Sequence, residues 1–471
     1  MKTLMAVILL VASTFAADAN SDQAIELAKI LAQKGTISAT ELAQIQSATD
    51  KVSLLANILR NRGVLSADEY ARVSYPAENT SVQLVLASAP AAVPPQGAAD
   101  KPAAPKGEVL SQSGFPLEVY GTVLLNAAYN TALTNIEDIP LFAGKQGSDL
   151  TGADKNFAMT ARQTRLGFRL RGGEVAGAKL GGQVEIDFLG GKAAFANGID
   201  MDLPRLRLAF GKLDWKSWSF EAGQDWAVFA PLNPTSLAEF AIPGFSASGN
   251  PWIRLPQIRG EYHNAVSERT TFQAQFAALD PNMGDFPIAF TSGRTPLIGE
   301  RGRGPAGEIR LALSHKADDR TYAVGLSTHY ARGKNFGTFG VANTPVTKGV
   351  DSWGVAADYS LPFTKTFNLT GEVFEGRALG IFSAASGEAI LPVNTVGQHG
   401  VETRGGWIQG QFNLTPKWQT NLAYGLESPN LDNLRTGDRS KNQTYTANLM
   451  YKLSKNVTFA WEYRRFLTNF K

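Results

Sequence analysis

The chain of 471 residues has no cysteine, so it can build neither a disulfide framework nor a thiolate metal site. Its histidines, His263, His315, His329 and His399, fall in separate segments without metal-ligand spacing, and no serine-nucleophile motif accompanies them. No motif calls for a metal or a cofactor. The net charge of +3 is too small to imply a nucleic-acid partner. After the amino terminus, no stretch approaches the roughly 20 apolar residues of a transmembrane helix. If this chain sits in a bilayer, it does so as strands.

The 46 glycines, 26 phenylalanines, 12 tyrosines and 8 tryptophans point to many strands and turns. The chain opens with Lys2, an apolar run from Leu4 to Phe15, and small residues around Ala16 and Ala19, the pattern of a secretory signal peptide over residues 1–19. Residues 20–75 have a helical period and an internal repeat: LAKILAQKGTISATELAQI at 27–45 aligns with LANILRNRGVLSADEYARV at 55–73. Each copy runs an apolar helix into a glycine, Gly35 or Gly63, followed by a capping box, Ser38 with Glu41 or Ser66 with Glu69. Leu27, Ile30, Leu31, Leu55, Ile58 and Leu59 form one apolar face, to be buried in a small bundle or against a partner. The Ala/Pro-rich stretch 76–114 reads as a semi-rigid linker.

From residue 115 to 471 the period changes to two. Val119, Val123, Leu125 and Tyr129 alternate with Glu118, Thr122 and Asn126; Leu180, Val184, Ile186 and Phe188 alternate with Lys179, Gln183, Glu185 and Asp187. In RLRLAFG the apolar set is Leu206, Leu208 and Phe210. A soluble sandwich also alternates, so the connections decide: short turns at 214–216, 317–319, 415–417 and 454–456 take turns with long loops, as in an antiparallel transmembrane barrel. Tyr129, Trp218, Tyr262, Tyr330, Trp353, Tyr359, Tyr424 and Tyr463 are candidates for aromatic girdles. Fifteen strand segments can be read between residues 117 and 467. An even number is usual for a barrel that closes on itself, so a sixteenth is expected beyond the last, absent from this chain.

Five segments carry a resemblance to the DcaP-like porins: TARQTRLGFRLRG at 160–172, VEIDFLGG at 184–191, PRLRLAFG at 204–211, EAGQDWAVFAPLNP at 221–234 and RLPQIRGEY at 254–262. The resemblance implies a sixteen-stranded barrel, a homotrimer in the outer membrane, a helical extension, and uptake of small, often anionic solutes.

Strand parity directs Arg165, Arg169, Arg171, Arg205, Arg207, Arg259 and Arg310 toward the lumen, along with Glu185, Asp187, Glu221, Glu261 and Glu308. Opposed basic and acidic walls would set up a transverse field, and an arginine excess would concentrate anions. Sequence does not distinguish such a charge ring from salt bridges that brace the wall. The connection 227–252 is apolar enough, with Phe229, Leu232, Phe240 and Phe245, to fold inward as a constriction whose main charge is Glu239; an extracellular lid is the alternative. The expected function is a passive channel for small solutes in transit across the bilayer. An adhesin, a structural anchor and a barrel-embedded hydrolase are the competing readings.

Overall fold

The computed structural model of the chain describes residues 17–48, 51, 54–55, 58–59, 109–110, 116–145, 147, 154–191, 202–285, 289–290, 293–294, 296–339, 344–382 and 400–471. The signal-peptide reading at 1–16, the second glycine and capping box of the repeat, and all of the linker except Val109–Leu110 lie outside these residues. Two units are distinguished, a helical one and a strand-built one.

In the helical unit, α1 (Ala17–Gln33) ends where Gly35 adopts φ +70°, and Thr36 N–H donates to the Leu31 carbonyl across the turn. Helix α2 (Ala39–Ser47) starts with both halves of the capping box made: Ser38 Oγ accepts from Glu41 N–H, and the Glu41 carboxylate accepts from Ser38 N–H. Ala28, Leu31, Ile37, Ile45, Leu55, Ile58 and Leu59 form its core, joining the two copies of the repeat. Ile30, expected on the buried face, is exposed. It lies about 100° around the helix from Leu31, and Ala28 occupies the stripe instead.

The strands, in chain order, are β1 (Val109–Leu110), β2 (Pro116–Thr122), β3 (Asn126–Asn130), β4 (Asn156–Thr160), β5 (Arg165–Val175), β6 (Ala178–Asp187), β7 (Arg205–Asp214) and β8 (Trp218–Trp226). Then come β9 (Arg254–Ser267), β10 (Thr270–Leu279), β11 (Ala289–Phe290), β12 (Gly293–Arg294), β13 (Ala306–Ala317), β14 (Arg320–Phe339) and β15 (Thr344–Leu361). The last are β16 (Phe367–Arg377), β17 (Glu402–Asn413), β18 (Trp418–Pro429), β19 (Arg439–Lys452) and β20 (Thr458–Phe470). Sixteen of these form one sheet in sequential order, every pairing antiparallel, while β3 with β4 and β11 with β12 form two-stranded sheets of their own.

Each of the fifteen segments read by alternation contains a strand. Strands β14 and β15 run further than expected and stay paired out to Phe339 and Thr344. The sixteenth strand is a correction: it precedes the others, Val109 pairing with Leu117 and Leu110 with Pro116. Two residues are too few to carry an alternation signal, and they lie in a stretch whose composition reads as linker.

Burial is inverted relative to a water-soluble protein. On β16, Val373 is 55% exposed whereas its neighbour Glu372 is 0% exposed. The same contrast separates Leu326, Ile258, Ile309, Leu422 and Trp461, all exposed, from Asp187, Arg207, Glu221, Glu308 and Asn421, all buried. A sheet with an apolar exterior and a polar interior is built for lipid outside, which removes the sandwich alternative. Near the short turns, cross-strand aromatic pairs Trp218 with Tyr262, Phe367 with Phe412 and Trp418 with Tyr451 stand 4.6–4.8 Å apart between ring centroids. They form a belt suited to a membrane interface.

On β7 the register slips at Arg207, so that Glu185 pairs with Leu208 and Ile186 with Leu206. The extra residue reverses the facing of the residues after it. Leu208 and Phe210, expected on the outer face with Leu206, are buried; only Leu206 stays exposed.

Candidate functional site

Residues 227–253, between β8 and β9, have no regular secondary structure, so their backbone donors need partners from elsewhere. Inward side chains of the wall supply them. Val228 and Phe229 N–H donate to the Glu308 carboxylate at 2.7 and 3.0 Å, Ala230 N–H to Ser327 at 3.1 Å, and Leu232 N–H to Glu372 at 2.5 Å. Thr235 N–H donates to Gln409 at 2.9 Å, and Phe240 and Ala241 N–H both donate to Gln163 at 2.8 Å. Farther along, Ser248 bonds Thr444, and Asn442 donates to the Ala247 carbonyl.

One loop is thus held by β13, β14, β16, β17 and β19 and by Gln163 just before β5. A sequential sheet can bring these strands around one loop only by rolling into a barrel, and the loop must lie within it. The lid position is not the one adopted.

The start of the loop is apolar where its wall is. Val228, Phe229 and Ala230 pack with Leu279, Met283, Ile298, Phe374, Leu379 and Phe382. Phe229 meets Phe382 edge-on at 5.2 Å, and the His329 ring, whose Nδ1 lies 3.0 Å from Glu308, meets Phe382 at 4.8 Å. Phe229 is therefore buried in the wall contact. Phe240 lies under Arg165, whose guanidinium sits 3.6 Å from the ring centroid and donates to the Phe240 carbonyl. Glu239 is buried and bridged to Arg464 on β20 at 2.7 Å.

The remaining charges interleave on the same strands and do not divide into opposite walls. Arg207 bridges Glu185 at 2.7 Å and Asp187 at 3.0 Å, and Arg205 grips Asp187 with two bonds of 2.6 and 2.9 Å. Both arginines also donate to the Ala241 carbonyl. Arg259 is surrounded by Glu221 at 2.8 Å, Asp225 at 2.9 Å and Glu261 at 3.0 Å, and Arg310 holds Asp358 at 2.7 and 3.0 Å. Arg169 and Arg171 lie toward the short-turn end and share Glu118 at 3.4 and 3.0 Å. Among the described residues, Arg165 is the one arginine of the expected set without a carboxylate in bridging range. Strands β17 to β19 present mostly amides and hydroxyls to the interior, including Gln409, Gln419, Asn421, Thr444 and Asn448.

Residues 85–470 match the family described as Gram-negative porins. The chain belongs to this family. Among solved structures, the outer membrane channel DcaP of Acinetobacter baumannii is similar over 77% of this chain and 94% of its own, with 20% identity and a TM-score of 0.56. In-vitro folded OmpT of Vibrio cholerae has 12% identity over 77% and 90% of the two chains at TM-score 0.45, and Salmonella typhi OmpF has 14% over 76% and 92% at 0.45. No curated protein matches the chain in sequence. The porin is an outer-membrane channel, and its sheet is the barrel.

Several residues that organise the interior of this porin escaped the sequence reading. Gln163 lies in a break between β4 and β5, where no parity applies. Arg254, at the first position of β9, has the parity of the exposed Pro256 and Ile258, yet it is buried against Trp226 and Trp252, 4.5 and 5.0 Å from their ring centroids. Glu372 and Asp358 carry the inward parity of their strands and were legible by the rule that found Glu308.

Proposed function

We propose that this porin is a passive diffusion channel for small hydrophilic solutes with a modest preference for anions. The observation that carries the reading is the polar interior crossed by loop 227–253, because a water-filled path through a bilayer needs polar walls and a constriction gives it a size limit. The anion preference rests on the excess of guanidinium groups over carboxylates where the loop meets β5 and β7. Arg165, Arg205 and Arg207 are joined there to loop residues Phe240 and Ala241. In this reading Arg169, Arg171, Arg259 and Arg310, with Glu185, Asp187, Glu221, Glu261 and Glu308, are pore-lining groups whose mutual pairing stiffens the wall. Phe229, Glu239 and Phe240 hold the constriction in place.

The assembly we infer is a homotrimer, as the resemblance to DcaP-like porins implies. Pro116, the start of β2, is at the short-turn end of the barrel. Short turns are periplasmic in such barrels, which supports a periplasmic helical extension.

Purified protein in planar bilayers should give stepwise, ohmic currents, and its reversal potential in a potassium chloride gradient should favour chloride. Persistent silence from correctly folded protein would refute the channel, and a cation-favouring potential would refute the anion preference. Cross-linking of the detergent-solubilised protein should stop at three copies.

A further inference from the structure

The arginines at the loop contact are not equivalent. Arg205 and Arg207 are matched by Asp187 and Glu185. Arg165 and Arg254 have no carboxylate within bridging range among the described residues. Each has a buried guanidinium nitrogen without a hydrogen-bond partner, Nε of Arg165 and NH1 of Arg254. Aromatic faces stand in for the missing anions: Phe240 lies under Arg165, and Trp226 and Trp252 flank Arg254.

Ring quadrupoles partly stabilise a cation but carry no net charge, so they do not cancel its field at a distance. The charges acting most strongly on Arg254 include Arg207, Arg205, Asp187 and Arg165, which puts all four arginines in one electrostatic neighbourhood. Arg165 in turn feels Arg207, Glu185 and Asp187. Four guanidinium groups there answer to two carboxylates.

We propose that Arg165 and Arg254 are the specificity-determining residues of this channel: they carry the uncompensated positive charge at the constriction and raise the local concentration of small anions, whereas Arg205 and Arg207 are neutralised in place. The assignment rests on the channel reading but not on the sign of its overall selectivity. A buried cation acts here without touching the solute. The low-dielectric wall screens it less than water would, and field lines emerge into the lumen. Arg254, 9% exposed, is such a source, and Arg165 is only partly buried.

The test is the chloride-to-potassium permeability ratio of the full-length protein in planar bilayers under a salt gradient. Arg165→Gln with Arg254→Gln should lower the ratio about twofold or more, because two fixed positive charges no longer favour chloride over potassium. Arg165→Lys with Arg254→Lys, which keeps both charges, should hold the ratio of the parent. Removing the matched pair Arg162 and Asp138, whose bridge lies nearby, as Arg162→Gln with Asp138→Asn should leave it unchanged. If burial makes the Arg254→Gln barrel fail to fold, Arg165→Gln alone must still lower the ratio. An unchanged ratio in a folded, conducting Gln variant overturns the assignment. A parent that already favours potassium overturns only the anion preference, because the shift between parent and variant is still read.

Discussion

Glu239 should make the stability of this porin fall as pH rises through the range just below neutrality. The carboxylate is buried, 6% exposed, and shares a single guanidinium, Arg464, with Glu462: the bridges are 2.7 and 3.4 Å. Two carboxylates and one cation leave a negative charge in a desolvated site. Burial pushes the Glu239 carboxyl up from 4.5 to about 7, Arg464 opposes the shift and Glu462 reinforces it. The sign comes from proton binding. Between these two values the folded protein holds a proton that the unfolded chain has released, so folding is favoured as pH falls and the advantage fades as pH rises toward 7.

The displacement corresponds to about 3 kcal/mol across the window, to order of magnitude. The measurement is urea unfolding of the barrel in lipid vesicles at a series of pH values from 4.5 to 8, for the parent and for Glu239→Gln. The variant resembles the protonated state at every pH. Its stability relative to the parent should therefore rise with pH by up to that amount and level off above neutrality. A parent-minus-variant difference that is flat, or that slopes the other way, refutes the reasoning.

Three further outcomes rest on single contacts. Glu308→Ala leaves the Val228 and Phe229 N–H groups and His329 without their shared acceptor, which should cost about 3 kcal/mol or more in urea unfolding and add noise to single-channel currents. Glu308→Gln, which keeps one carbonyl oxygen, should lose less. Gly249 has φ +110°, and a Cβ there would collide with the Gly406 and Leu426 carbonyl oxygens, so Gly249→Ala should push the loop off its wall and change unitary conductance. In the helical unit, Ser38→Ala removes half of the capping box and should destabilise that unit by about 1 kcal/mol, read as loss of helical circular dichroism on heating while the barrel signal stays constant.

How much of the structure could be read from the sequence depended on whether a residue obeyed a period. Strands of ten or more residues announced themselves because lipid on one side and water on the other force alternation, and Glu185, Asp187, Glu221 and Glu308 were directed inward by the same rule. The rule failed at Arg207, where one bulged residue turned Leu208 and Phe210 inward. It also failed at Arg254, where the strand begins beside the loop and the side chain is covered by two tryptophans. The apolar content of 227–252 suggested packing inside the barrel, but the partners, Gln163, Glu308, Glu372 and Gln409, come from segments dispersed over some 250 residues. Alternation assigns a face, whereas pairing depends on the shear of the sheet and the path of the loop. Hence charge direction was legible for Arg259 and Arg310, but the three acids around one and the single acid on the other were not.

The tip of the loop also bears on how the barrel closes. In hydrocarbon an unpaired strand edge costs several kcal/mol for each group, so the join between the first and last strands is the demanding place in the fold. Among the described residues β20 has a ladder only with β19, and side chains of both strands hold the segment that follows β3. Thr468 accepts from Ala143 N–H at 3.1 Å, Arg464 donates to the Pro140 carbonyl at 3.0 Å, and Asn442 donates to the Leu141 carbonyl at 3.1 Å. The loop tip spans the same join from within. Ser236 bonds Glu462, Glu239 bridges Arg464, and Asn448 donates to the Thr235 carbonyl on the β19–β20 side. Asn126 donates to the Leu237 carbonyl and Gln163 to the Ala238 carbonyl on the β3–β5 side. Seven residues of the loop tip, 235–241, thus tie β19 and β20 to β3 and to the segment before β5. The position of the loop tip and the join share their bonds, so a change that frees the loop tip must also weaken the join. That coupling is why the Glu239 titration is expected in the unfolding of the whole barrel and not merely in loop motion.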